Sequence, residues 1–193
     1  MTTIQNRFTG EVIVEGDCPL KELVEKNKSD LSGSDLSGSN LRWLDLRWSD
    51  LRGSNLRGSD LRWSDLSGSD LSWSDLRGSD LRRSDLRRSK IEFFQFPSIR
   101  LLSSMPLSRL SDALILELMR RDAYGHPHPE QFDAWAEDGA CPYQDEERMW
   151  HFRESRELWK PGNPEMTDRD LVIAICKEKG WGIRGYLNIK EAP

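Results

Sequence analysis

The chain has 193 residues, enough for one compact domain or two small ones. Its net charge of −5 disfavours a nucleic-acid-binding protein, because such proteins are normally basic. Three widely separated cysteines argue against a disulfide framework and for free thiols in a reducing compartment. The N-terminus has no apolar signal core and no apolar stretch could span a bilayer, so we expect a soluble cytoplasmic protein with no membrane partner.

Residues 1–28 are predicted to form an N-terminal cap. Residues 8–16 are typical of a short strand, and a helix with Pro19 in its first turn is expected to run to about Lys26. Solenoids need caps over their terminal coils, and a five-residue repeat starts directly after this segment. We therefore expect the strand and the helix to cover the first coil.

Twelve five-residue units follow one another without insertion from Ser29 to Arg88, most of them reading S-D-L-x-x. Leu holds the centre of every unit, and Ile91 and Phe96 continue the register. A period of five fits neither an α-helix nor a flat strand. A chain that turns a corner in each unit would point every Leu, and every Ser two positions before it, at one axis. Stacked coils would then bury a continuous column of leucines.

The unit S-[DN]-L-[RS]-[GWR] is similar to the A-[DN]-L-x-x consensus of pentapeptide-repeat proteins. The resemblance covers residues 29–98 and implies a mainly β fold, a right-handed quadrilateral β-helix with four units per coil. Fourteen units would make about three and a half coils, roughly 17 Å tall at strand spacing. Leu44 stands where a small residue belongs, so we expect it to bulge one coil. We interpret the glycines in fifth position as small residues needed at the corners.

Stacking residues twenty apart predicts one face with an arginine column beside two tryptophans. Four arginines and two aspartates give this face a charge of +2, whereas ten Asp and ten Arg make residues 29–88 neutral. Outward tryptophans need a partner surface, which the chain's own termini, a protein partner or dimer, or stacked single-stranded nucleic acid could supply. The acidic chain disfavours nucleic acid. The candidate binding residues are Trp43, Trp63, Arg42, Arg62 and Arg82, with Trp48 and Trp73 at other outward positions.

Residues 99–193 are predicted to form a mainly α-helical C-terminal module. Thr167, with Asp170 three positions later, resembles a capping box for a helix that Gly180 ends. The layout, including His-Pro-His-Pro at 126–129, resembles uncharacterised pentapeptide-repeat proteins of bacteriophages and prophages. The expected elements are helices at 111–121, 130–137, 145–159 and 167–179 and a closing strand at 181–189.

The histidines of this module and one cysteine could hold a metal, since two His that flank one residue can share an ion. Their spacing matches no compact zinc finger and there is no Cys-x-x-Cys, so we expect no cofactor and no bound metal. The metal candidates are His126, His128, Cys141 and His151.

No nucleophile elbow or phosphate-binding glycine loop is present, and the sequence favours a non-enzymatic scaffold that presents a rigid surface to a protein of unknown identity. A homodimer is an alternative state. Some pentapeptide-repeat proteins act as duplex-DNA mimics that bind DNA gyrase, and the resemblance makes this the second hypothesis. A neutral, short rod fits such mimicry poorly, because duplex DNA carries one charge per about 1.7 Å. The third hypothesis is a metal-dependent activity of the C-terminal module.

Overall fold

A computed structural model describes most of the chain, with gaps in its C-terminal half. The described residues are 1–93, 95–105, 107, 110–143, 151–152 and 155–187. Within these ranges, every helix is too short or too polar to traverse a lipid bilayer.

A hairpin and a short helix lie against the first coil of the repeat. Strand β1 (Thr2–Gln5) pairs antiparallel with strand β2 (Val12–Gly16), and helix α1 (Leu20–Lys26) follows. An antiparallel bridge between Asn6 and Ser34 joins the hairpin to the repeat. The sequence indicated β2 and α1, whereas β1 was missed.

Parallel bridges join residues twenty positions apart along the repeat, so four five-residue units make one coil. The backbone amide of Leu41 donates to the Asp60 carbonyl at 2.8 Å, and the Asp60 amide donates back to the Ser39 carbonyl at 2.9 Å. Each side of a coil is a turn with one bridged residue rather than an extended strand. The bridged pairs are Asp35–Asn55, Asn40–Asp60, Asp45–Asp65, Asp50–Asp70, Asn55–Asp75, Asp60–Asp80, Asp65–Asp85 and Asp70–Lys90.

The twelve central leucines fill the axis of the rod, and none is more than 8% exposed. Such burial contributes about 1.5–3 kcal/mol per leucine before the entropy of ordering the chain is subtracted. The serines two positions earlier also point inward. The Ser64 hydroxyl donates to the Leu61 carbonyl at 2.6 Å, and most of the other inward serines make the equivalent bond. All predicted inward leucines and most predicted inward serines are buried, whereas Ser29 is exposed and Ser72, predicted to point outward, is buried.

Leu44 causes no bulge, so that expectation is wrong. Its side chain is 5% exposed, and the parallel bridges made by Asn40 and Asp45 keep their register on either side of it. Leu44 belongs to the same core as Leu23 and Val24 of α1. A larger side chain fits here because the cap presents apolar side chains to it.

Four helices with described bounds follow the repeat: α2 (Ile99–Ser104), α3 (Asp112–Tyr124), α4 (Gln131–Ala136) and α5 (Asp168–Lys179). Helix α5 packs on α2 and α3. Its N-terminus carries the predicted cap, since the Thr167 hydroxyl accepts from the Asp170 amide at 3.2 Å, and Gly180 ends it with φ of +66°. The helix expected at 145–159 lies largely outside the described residues, and its last part is a 3-10 turn at Arg156–Leu158. His151 and Phe152, within the same expected helix, are helical.

The segment after α5 covers the far end of the rod. Strand β3 (Glu92–Phe93) pairs in parallel with strand β4 (Gly182–Ile183), and the Trp181 ring meets Phe93 edge to face with centroids 6.0 Å apart. The described part of the strand expected at 181–189 is thus only two residues long before a turn. Domain boundaries at residues 28 and 98 stay a prediction.

Candidate functional site

The last residue of each unit turns the chain with a positive φ. All twelve such residues between Gly33 and Arg88 have φ of +58° to +71°. Glycine adopts this left-handed conformation freely, whereas any other residue pays about 1–2 kcal/mol. Because Trp and Arg also occupy these corners, backbone conformation rather than small size generally favours glycine there, and our interpretation of these glycines holds only for Gly68, against which Trp48 packs. The residues other than glycine at these corners are Trp43, Trp48, Trp63, Trp73, Arg83 and Arg88.

One corner carries a stack of three large side chains, Trp43, Trp63 and Arg83, which we call the tryptophan corner. The Trp43 and Trp63 rings are nearly parallel, at 12°, with centroids 4.7 Å apart. The Arg83 guanidinium lies 4.3 Å from the centroid of Trp63. Trp43 is 61% exposed, so the described termini do not cover it. Trp63 contacts both of the others and is half-buried, so Trp43 is the more exposed indole of the corner.

The neighbouring arginine column is paired with aspartates. The Arg62 guanidinium binds Asp60 through two bonds of 2.8 and 2.5 Å, and Arg82 binds Asp80 in the same way. Arg42 Nε lies 3.9 Å from Asp60 Oδ2 and Arg62 Nε 3.5 Å from Asp80 Oδ2, which links the pairs into a ladder. The +2 face is therefore a network of ion pairs beside the tryptophans rather than a row of unneutralised cations.

These pairs lower the pKa values of the aspartates. The hydrogen bond from Arg62 holds the pKa of Asp60 below its usual value of 3.8. For Asp80, burial acts to raise the pKa, but the Arg82 hydrogen bonds and charge outweigh it, so the net shift is downward. Both carboxylates stay ionised at neutral pH and keep the column in place.

Trp48 and Trp73 lie on other corners. Trp48 is 70% exposed, and its ring lies flat against Gly68, which leaves no room there for a side chain. Trp73 is 42% exposed and shares a corner with Gly33 and Gly53, opposite the tryptophan corner in a coil of four units. The structure thus brings Trp43 and Trp63 together with the arginines and keeps the other two candidates apart from them.

Sequence reasoning did not single out Arg83 as a contact residue, although its guanidinium extends the tryptophan stack. Reading the fifth positions at intervals of twenty shows that Trp43, Trp63 and Arg83 share a column. The stacked geometry was not predictable, because it depends on the direction in which each side chain leaves a positive-φ corner.

The metal candidates are not assembled into a site in the part of the chain that the structure describes. His151 is buried, with Nε2 2.8 Å from Asp122 Oδ2. His126 packs among aromatic rings, His128 is exposed and Cys141 is a half-buried free thiol. Across the described ranges, no group of three or more His, Cys, Asp or Glu could hold an ion. The hypothesis of a metal-dependent activity therefore lacks a described ligand set.

Comparison with known proteins points to one family. Residues 27–53 and 54–92 match the sequence model of pentapeptide repeats in eight copies. No curated protein sequence matches the chain.

Several solved structures are similar to parts of the chain. A pentapeptide repeat protein from the cyanobacterium Cyanothece 51142 is 27% identical over 31% of this chain and 41% of its own, with a TM-score of 0.30. A pentapeptide repeat protein from the thylakoid lumen of Arabidopsis thaliana is 26% identical over 54% of this chain and 83% of its own, with a TM-score of 0.26. A third, from Nostoc PCC 7120, is 32% identical over 32% of this chain and 60% of its own, with a TM-score of 0.16. The chain thus spans less than half the length of the first of these.

Proposed function

We propose that this chain, which belongs to the pentapeptide-repeat proteins through residues 27–92, is a non-enzymatic scaffold whose tryptophan corner binds a protein partner. In this proposal the four-unit coils form a right-handed quadrilateral β-helix that holds the corner rigid. The cytoplasmic location and the phage or prophage origin stay predictions, as does the homodimer.

The observation that carries the proposal is the positive φ of two stacked tryptophans, of which Trp43 is exposed and Trp63 half-buried. Glycine occupies the same conformation at six other corners, at no comparable strain. Each tryptophan costs about 1–2 kcal/mol there, and an aromatic pair returns only about 0.5–1.5 kcal/mol. Strain that the fold does not require is typical of functional residues. Trp and Arg are also the residues that most often dominate binding energy at protein interfaces.

The ion-pair ladder supports this surface by fixing the side chains next to it. Because Arg62 and Arg82 are held by aspartates, a partner meets a preorganised rim around the tryptophans and orders few side chains on binding. A duplex-DNA mimic would instead need a strongly acidic rod, and ten Asp against ten Arg cancel here. Gyrase binding therefore remains the second hypothesis.

The test replaces both stacked tryptophans by the residue that the backbone prefers. Trp43→Gly with Trp63→Gly removes the rings and relieves the strain, so the thermal midpoint should stay within about 4 °C of the parent value. Proteins captured from a lysate of the source cells should be lost, as measured by quantitative mass spectrometry. Trp73→Gly makes the same change on the opposite corner and should retain them.

Equal capture by the double variant and the parent would refute the proposal. Sedimentation equilibrium of the purified chain tests whether the partner is a second copy of the chain. In that case the parent protein should be a dimer and the double variant a monomer.

A further inference from the structure

A groove lies on the corner opposite the tryptophan corner. Its volume is about 560 Å³, within the range of about 300–1,000 Å³ typical of small-molecule sites. Gly33 and Gly53 line it together with the exposed rings of Phe8 and Trp73. The polar residues that line it are Asn6, Ser32, Arg52, Ser72 and Lys90.

The tryptophan corner shows what is missing from this groove. Trp43 stacks on the residue twenty positions later, Trp63, at 4.7 Å. Gly53 bears the same relation to Trp73, and its φ of +63° equals that of Trp63. A Cβ added at Gly53 would meet nothing within 4 Å. This corner therefore has a ring at Trp73 that corresponds to Trp63, and an open space at Gly53 where the ring corresponding to Trp43 would lie.

A buried hydroxyl beside Trp73 has an unmet hydrogen-bonding need. Ser72 is 1% exposed, and its Oγ finds no hydrogen-bond partner among the described residues. A buried polar group without a partner costs about 1–3 kcal/mol. Because Ser72 lines the groove, a ligand with an acceptor atom could satisfy it there.

Two cationic side chains line the same groove. Lys90 is 62% exposed on its side chain, and its ammonium lies 3.7 Å from Asp70 Oδ2, too far for a strong hydrogen bond. Arg52 binds Asp50 through two bonds of 2.8 and 2.5 Å, which holds its guanidinium in place. Asp50 and Asp70 pair with these cations from outside the lining, so the charged side chains that a ligand would meet in the groove are Arg52 and Lys90.

We propose that this groove binds a small planar aromatic anion. Its ring stacks on Trp73 and fills the open space beside Gly53. Its anionic group accepts a hydrogen bond from Ser72 and pairs with Lys90. The site lies on a different corner from the proposed protein-binding surface, so each proposal stands or fails by itself.

The test titrates the purified full-length protein with three indoles by isothermal calorimetry. Indole-3-acetate, indole and tryptamine share one ring and carry negative, zero and positive charge. Indole-3-acetate should bind about tenfold more tightly than tryptamine, with indole between them. Ser72→Ala should reduce that advantage of the anion while leaving the affinity for indole within about twofold.

Gly53→Trp supplies the missing ring from the protein itself and closes the groove. It should weaken indole-3-acetate binding by about tenfold or more. Gly58→Trp is the matched control, since Gly58 has φ of +67°, an equally open surround and a place on a neighbouring corner outside the groove. It should leave the affinity unchanged, and circular dichroism should show both variants folded.

The proposal is overturned if the parent protein binds none of the three indoles at millimolar concentration, or if Gly58→Trp weakens binding as much as Gly53→Trp. Equal affinity for indole-3-acetate and tryptamine would overturn the assignment of an anion. If the double variant Trp43→Gly with Trp63→Gly lost indole binding, the ligand would bind at the tryptophan corner instead of the groove, which would also overturn the proposal.

Discussion

The repeat and the C-terminal helices are held together in different ways. In the repeat most units use the same three contacts: a buried central Leu, an inward Ser and a backbone bridge to a neighbouring coil. The helices instead depend on single contacts that occur once, such as the Glu117 carboxylate on the chain before α5 or the bond between Asp122 and His151. A contact that recurs at a fixed spacing can be predicted from the sequence, and each copy has equivalents in the other units. A contact that occurs once cannot be predicted in this way and has no equivalent.

The largest effect should come from the leucine column. Leu61→Ala should lower the free energy of unfolding by about 2–5 kcal/mol, because it leaves a cavity in a closely packed axis. If the units are equivalent, Leu66→Ala should cost the same within about 1 kcal/mol, since both leucines are fully buried. Urea denaturation measures both, and Arg57→Ala on the exposed surface serves as control. A clear difference between the two leucines would break the equivalence of the units.

A smaller, local effect should follow from Glu117 in α3. This side chain is 5% exposed, and Oε1 accepts the amides of Glu165 and Met166 at 2.7 Å each. Glu117→Ala leaves both amides without that acceptor and should cost about 1–3 kcal/mol. Hydrogen exchange should accelerate at those two amides while the repeat stays protected. Glu157→Ala, which removes an exposed carboxylate, is the control and should change neither the stability nor the exchange rate of the two amides. A general loss of protection in the repeat on Glu117→Ala would contradict the local role.

The smallest effect should be that of pH on the repeat. Hydrogen bonds from Arg62 and Arg87 lower the folded-state pKa of Asp60 and Asp85 below 3.8, so these carboxylates stabilise the fold at any pH above the unfolded value. Stability should be level above about pH 5 and fall as the pH drops below about 4. Thermal midpoints measured across this range check the sign, and Asp60→Asn should flatten the decline. An increase in stability on acidification would rule the mechanism out.

Much of the repeat could be predicted because its chemistry recurs at a fixed spacing. The inward Leu and Ser columns follow from the period, the twenty-residue coil follows from the resemblance to pentapeptide-repeat proteins, and the Thr167 cap of α5 follows from a local motif. The corner conformation was misread because Gly is both small and tolerant of positive φ. The tryptophans and arginines found in the same conformation show which property matters, because they are large and still occupy these corners.

The candidate site was predicted in part. Columns at intervals of twenty placed Trp43 and Trp63 together, but not the neutralising contacts of the arginines with Asp60 and Asp80, which depend on side-chain rotamers. The groove was missed because Phe8 reaches it from the N-terminal hairpin and Ser72 looks like any other serine in the fourth position of a unit. Strand β1 was missed because four residues beside a terminus carry little pattern of their own.

The coil of twenty residues also restricts how the chain can change in length. Removing four units deletes one storey and returns each remaining bridge to a partner of the same kind, with both caps facing as before. Removing one unit turns everything beyond it by a quarter revolution, so the β3–β4 pairing and the C-terminal helices would meet a different side of the rod. Insertions and deletions that preserve the arrangement of the two ends therefore come in steps of one whole coil of four units, not of one unit.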